Sequence, residues 1–191
     1  MRSPFAIAVV CIGLVLLVGS VQAQEKPLTL YGGLGYAKSM NDDAPGGSIG
    51  IQGGMIYRLQ DKPFALGGEF GYLMLGSDDV DGGLFFPDSE VTLSTIPLTG
   101  QAYFLIPSEG MAPYLTGGLG FYVTKYDIDF EESDTFDTDD SNTDLGINLG
   151  GGLMFGDPSQ SVRFGADARL HIIMTEDEST NVIALMARIF I

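Results

Sequence analysis

Seven side chains in this sequence carry charge or proton-transfer chemistry among apolar neighbours: Arg58, Glu69, Arg163, Asp167, Arg169, His171 and Arg188. Four of them share one parity in a run whose other parity reads Val162, Phe164, Ala166, Ala168, Leu170, Ile172, Met174. Charges withdrawn from water need partners, so the set is expected to form a buried ion-pair network. Glu69 and Arg58 fall on neighbouring strands of a hairpin, and Asp167 lies between two arginines on its own strand face. His171 is the only histidine. A hydrolytic Ser–His–acid arrangement would need it. The two residues after it are Ile172 and Ile173, so a His-x-Ser pair is missing and His171 is expected to be a hydrogen-bonded filler. No catalytic residue and no enzyme activity is expected.

A second group is the acidic stretch from Glu131 to Asp144, with Asp137, Asp139, Asp140 and Asn142. Hard cations such as Ca²⁺ or Mg²⁺ prefer such oxygen ligands, but the Gly and terminal Glu of a calcium loop do not fall in place. A solvated loop is the expected reading, with weak divalent-cation binding as the alternative. Glycine doublets recur, as in Gly53-Gly54 and Gly150-Gly151-Gly152. A phosphate cradle needs a strand-to-helix turn, and no helix is expected, so they read as sites of sheet curvature and a crowded interior. No cofactor is implied.

The elements that must hold these groups are strands. Period-two alternation appears at 28–38, 47–58, 64–75, 91–106, 113–126, 144–155, 161–174 and 181–191, separated by Gly, Pro, Asp and Ser clusters. One face of each segment is apolar: Phe64, Leu66, Phe70 and Met74 in the third, Ile183, Leu185 and Ile189 in the last. The other face is mostly Gly, Ala and Ser with a few charges of both signs. A water-facing surface would carry many Lys, Glu and Thr. The small, mixed face suits a narrow interior, and the apolar face suits lipid. The expected fold is therefore all-β: an eight-stranded antiparallel up-and-down transmembrane β-barrel. Connections alternate between short (59–63, 107–112, 156–160) and longer, more acidic (39–46, 76–90, 127–143, 175–180), and 19 of the 25 acidic residues lie in or beside the longer set. Short turns on the periplasmic side and long loops outside fit an outer-membrane barrel, with both termini in the periplasm.

Residues 1–23 read as a cleaved signal peptide and 24–191 as the barrel domain. Arg2 supplies the positive start, Phe5 to Val21 is nearly all apolar, and Val21-Gln22-Ala23 has the small-residue pattern of a cleavage site. Cys11, the only cysteine, lies inside that leader, so no disulfide supports the mature domain. The formal charge of −16 repels phosphate backbones and excludes nucleic acid as a partner.

The middle of the chain carries a resemblance. Ile96-Pro97-Leu98, an alternating strand to Ile106, a short Pro-containing turn, Pro113-Tyr114 and Gly117-Gly118-Leu119-Gly120 resemble the small outer-membrane barrel domains of the OmpA/OmpX type. The resemblance implies residence in the bacterial outer membrane among lipid and lipopolysaccharide. It also implies insertion by the barrel-assembly machinery, which reads a last strand ending in an aromatic residue. The end here is Arg188-Ile189-Phe190-Ile191. With no Trp, interfacial girdles would rest on residues such as Tyr36, Tyr57, Tyr72, Phe104 and Phe121. The expected role is an envelope-structural or surface-interaction protein acting through acidic extracellular loops. The alternatives are a narrow porin-like channel or solute-binding barrel, and a soluble lipocalin-like binder. An eight-stranded interior is only wide enough for its own side chains, which argues against an open pore.

Overall fold

Alternating sequence with no room for a helix pairs into hairpins, and eight hairpin-linked strands close on themselves. The computed structural model describes residues 27–41, 46–80, 89–108, 110–130, 138–156, 160–175 and 179–191. The expected leader and the acidic residues at 42–43, 81–88, 131–137 and 176–178 lie outside them. The strands are β1 (Leu28–Ser39), β2 (Ser48–Arg58), β3 (Phe64–Val80), β4 (Ser89–Leu105), β5 (Met111–Phe130), β6 (Thr138–Phe155), β7 (Arg163–Met174) and β8 (Ser179–Phe190). Each pairs antiparallel with the next, and β8 returns to β1, with Tyr31 opposite Phe190 and Ser39 opposite Val182. Closure leaves no unpaired strand edge in the cylinder, the condition for a sheet in hydrocarbon.

The two faces divide as the alternation requires. Phe164 is 60% exposed on the outside and Leu119 69%, whereas Arg169 and Arg188 are each 2% exposed inside. Tyr36, Tyr57, Phe104 and Phe121 stand on the outer surface; Tyr72 is half-buried. The short connections need tight reversals, and positive φ at Asp61 (56°), Gly110 (75°) and Gly156 (113°) supplies them. We call this the turn end, and the opposite rim the loop end.

Two long connections are shorter than expected because the strands beside them are longer. Residues 76–80, 89–90, 127–130 and 138–143, read from the sequence as loop, are strand. β2 stops pairing with β3 at Gly50–Leu73, and β7 stops pairing with β6 at Leu145–Met174. Beyond those points β3, β4, β5 and β6 continue as a four-stranded sheet rising past the closed cylinder. A bulge between Met74 and Gly76, with Gly76 at φ 122°, marks where β3 leaves the cylinder. Acidic composition hid this extension, because Asp is poor in strands and reads as loop.

Candidate functional site

The seven candidate side chains lie on the lumen face of their strands, and the lumen is layered. Inward positions of β1, β3, β4, β5, β7 and β8 near the loop end supply Ala37, Leu73, Leu75, Leu93, Tyr122, Ile173, Val182, Ala184 and Met186, one apolar cluster. Near the turn end Tyr31, Ile56, Ala65, Tyr103, Tyr114, Met154 and Phe190 form another. Between the two lies a belt of buried polar groups that includes Gln52, Glu69, Thr99, Gln101, Thr116, Asn148, Asp167, Arg169, His171 and Arg188.

Four of the seven candidates meet in this belt. Arg169 Nη1 donates to Glu69 Oε1 at 2.7 Å, and its Nε faces Asp167 Oδ1 at 2.9 Å, off the hydrogen-bonding direction. Arg188 Nη2 reaches Glu69 Oε2 at 3.0 Å, Asp167 Oδ1 at 3.1 Å and Gln52 Oε1 at 2.9 Å. Two carboxylates thus face two guanidiniums, and the charge closes locally. Removing one member of such a set leaves a buried charge uncompensated, which costs about 3–5 kcal/mol. Tyrosines from the turn-end cluster complete the carboxylates' shells. Tyr31 donates to Glu69 Oε2 at 2.6 Å and Tyr114 to Asp167 Oδ2 at 2.8 Å. The Arg188 guanidinium also stacks over the Tyr31 ring, 4.6 Å from its centroid.

His171 lies in the belt but in a separate neutral group. Tyr122 Oη is 3.0 Å from His171 Nδ1 and accepts from Asn148 Nδ2 at 3.3 Å. The hydroxyl proton needs an acceptor, and among the described residues His171 Nδ1 is the one in reach; assigned so, the imidazole proton sits on Nε2. Arg58 and Arg163 share the lumen face but sit half-buried at the turn end, and neither forms an ion pair among the described residues. The expected Arg58–Glu69 pairing is not made. Register explains why: Glu69 lies opposite Gly54, four residues from Arg58 along β2, or about 13 Å at 3.3 Å per residue. Arginines from β7 and β8 take Glu69 instead.

The reading of a small-residue lumen also needs correction. It missed Tyr31, Tyr103, Tyr114 and Tyr122, because tyrosine in an alternating strand reads as outward girdle. The signal that could have found them is glycine. A Cβ on Gly54 would stand 2.5 Å from Tyr31 Oη, one on Gly152 2.5 Å from Tyr114 Oη, and one on Gly146 2.6 Å from Tyr122 Cε2. The expected crowding is real, but large inward side chains make it, each seated over a glycine across the ladder.

Phe190 shows a further difference. It turns into the lumen and packs on Tyr31, ring centroids 5.8 Å apart. The outward face of the last strand therefore ends on Ile189 and Ile191. Among the described residues, no three His, Cys, Asp or Glu side chains are grouped to hold a metal ion.

Comparison with known proteins agrees with this architecture. The fold matches Neisserial surface protein A (NspA) with a TM-score of 0.63 at 15% identity, over 87% of this chain and 97% of that one. A major outer membrane protein from Thermus thermophilus matches with a TM-score of 0.59 at 9% identity, over 87% and 100%. No curated protein sequence matches the chain. Identities this low speak for the fold alone. A family model does more: the outer membrane protein beta-barrel domain matches residues 9–188. With eight strands closed into a cylinder, apolar outside and ion-paired within, this chain belongs to the outer membrane protein beta-barrel family and resides in the bacterial outer membrane.

Proposed function

We propose that the protein is a non-enzymatic, non-conducting barrel whose role lies outside the bilayer, in stabilising the envelope or meeting other surfaces through its acidic extension and loops. One observation carries this reading. The carboxylates and guanidiniums at the barrel's centre are engaged with one another, between apolar clusters at both ends. Among the described residues such a lumen supplies neither a free nucleophile–base pair nor a continuous wet path. What remains for contact is the rim where most carboxylates gather. Its partners are the surrounding lipid and lipopolysaccharide, with divalent cations bridging carboxylates to lipid phosphates, and the barrel-assembly machinery serves insertion. Planar-bilayer recording of the purified barrel tests the reading. A flat baseline is expected; steady unitary currents would replace it with the narrow-channel alternative.

A further inference from the structure

Several buried polar atoms in the belt have no protein partner among the described residues. On one side these are Arg188 Nε and Nη1 and Gln52 Nε2; on the other, His171 Nε2 and Asn148 Oδ1. The residues bearing them are nine-tenths or more buried. Unpaired buried donors and acceptors are costly, and proteins satisfy them with internal water where the site is polar and roomy. We propose that the belt is a hydrated chamber holding ordered water at two places, beside Arg188 and Gln52 and between His171 and Asn148. The two apolar clusters, not the ion pairs, are the seals that separate this water from bulk.

Charge selects water over an ion. Glu69 and Asp167 already balance Arg169 and Arg188, so an added ion would be uncompensated. Chemistry points the same way: the first place offers three donors, the second a donor and an acceptor, and only a molecule that both donates and accepts serves both. The seals follow from side-chain type. Leu73, Leu75, Ile173 and Val182 at the loop end are completely buried and offer water no hydrogen bond. A constriction lined this way resists wetting. The inference goes beyond the proposed function, since a closed barrel could equally be dry.

The test uses the full barrel refolded in micelles, isotope-labelled at arginine and histidine for magnetic resonance. Water cross-relaxation peaks are expected at Arg188 Nε–H and His171 Nε2–H, with slow exchange of both protons into D₂O. Ile173→Ser is expected to speed that exchange by roughly tenfold, the effect of about 1.4 kcal/mol off a barrier. Ile173→Val should hold the wild-type rate. Missing water peaks at both protons would overturn the chamber. Fast exchange in the wild type, or no change in a folded Ile173→Ser barrel, would overturn the seal. Should that variant lose heat-modifiable migration, Val182→Thr, almost the same shape, decides the question by the same readout. Bilayer currents in the wild type would count against the proposed function, yet leave the water peaks to be read separately.

Discussion

Within the closed cylinder two carboxylates meet two guanidiniums at 2.7–3.1 Å, whereas in the extension acidic residues face one another in register. Asp79 lies opposite Glu90, Glu90 opposite Asp129, and Asp127 opposite Asp139. Like charges a strand apart repel by only about 1 kcal/mol in water, but by far more where the dielectric is low. The same sheet therefore obeys two electrostatic regimes. Below the Met74–Gly76 bulge the carboxylates and guanidiniums of the belt are matched; above it, the register sets acidic positions beside one another with no basic residue opposite.

The contrast can be broken in order of expected effect. Glu69→Ala should be the most damaging, about 3–5 kcal/mol in urea unfolding from lipid vesicles, because it strands two guanidiniums against one carboxylate. A loss below about 1 kcal/mol would mean the network is wetter and weaker than its distances imply. Next comes the outer wall. Leu119→Arg puts a charge on the lipid face of β5 and should cost about 2–4 kcal/mol in vesicles. No penalty there would overturn the inside–outside assignment.

Gly152→Ala should cost about 1–3 kcal/mol, since its new Cβ meets the Tyr114 hydroxyl and the Ala166 carbonyl. Combining it with Tyr114→Ala tests the glycine–tyrosine seating: a combined loss smaller than the sum of the two single losses shows that the pair is coupled. The smallest effect should have the opposite sign. Glu90→Gln removes one charge from a row of three acidic positions paired across β3, β4 and β5 and should stabilise by about 0.2–1 kcal/mol, fading as salt rises. If it destabilised the barrel instead, the extension would hold its acids in compensated contacts.

How much of this was legible in the sequence follows the same division. Strand positions in the cylinder could be read because lipid outside and a narrow lumen inside force strict alternation. Phe164, Leu170, Arg169 and Asp167 fell on their correct faces from parity alone. The extension could not be read this way, because its Asp-rich strands break the apolar alternation and mimic loop. Partner choice was also hidden. Arg58 and Glu69 share a hairpin, but register is a property of paired strands, and it sets them four residues apart. Tyr31, Tyr103 and Tyr114 were missed because an apolar ring with a polar tip suits a lipid interface and a lumen equally well.

The final strand carries a consequence for assembly order. β8 brings Met186 to the upper cluster, Arg188 to the centre and Phe190 to the lower cluster. Until it docks, Glu69 and Asp167 have only Arg169 between them, one cation short, and the β1 and β7 edges stand open. The last twelve strand residues act as a keystone: neutrality, filling and edge pairing arrive together in one step. A failure at this seam would strand the other seven strands as an unbalanced, open sheet, with Glu69 and Asp167 short of one guanidinium.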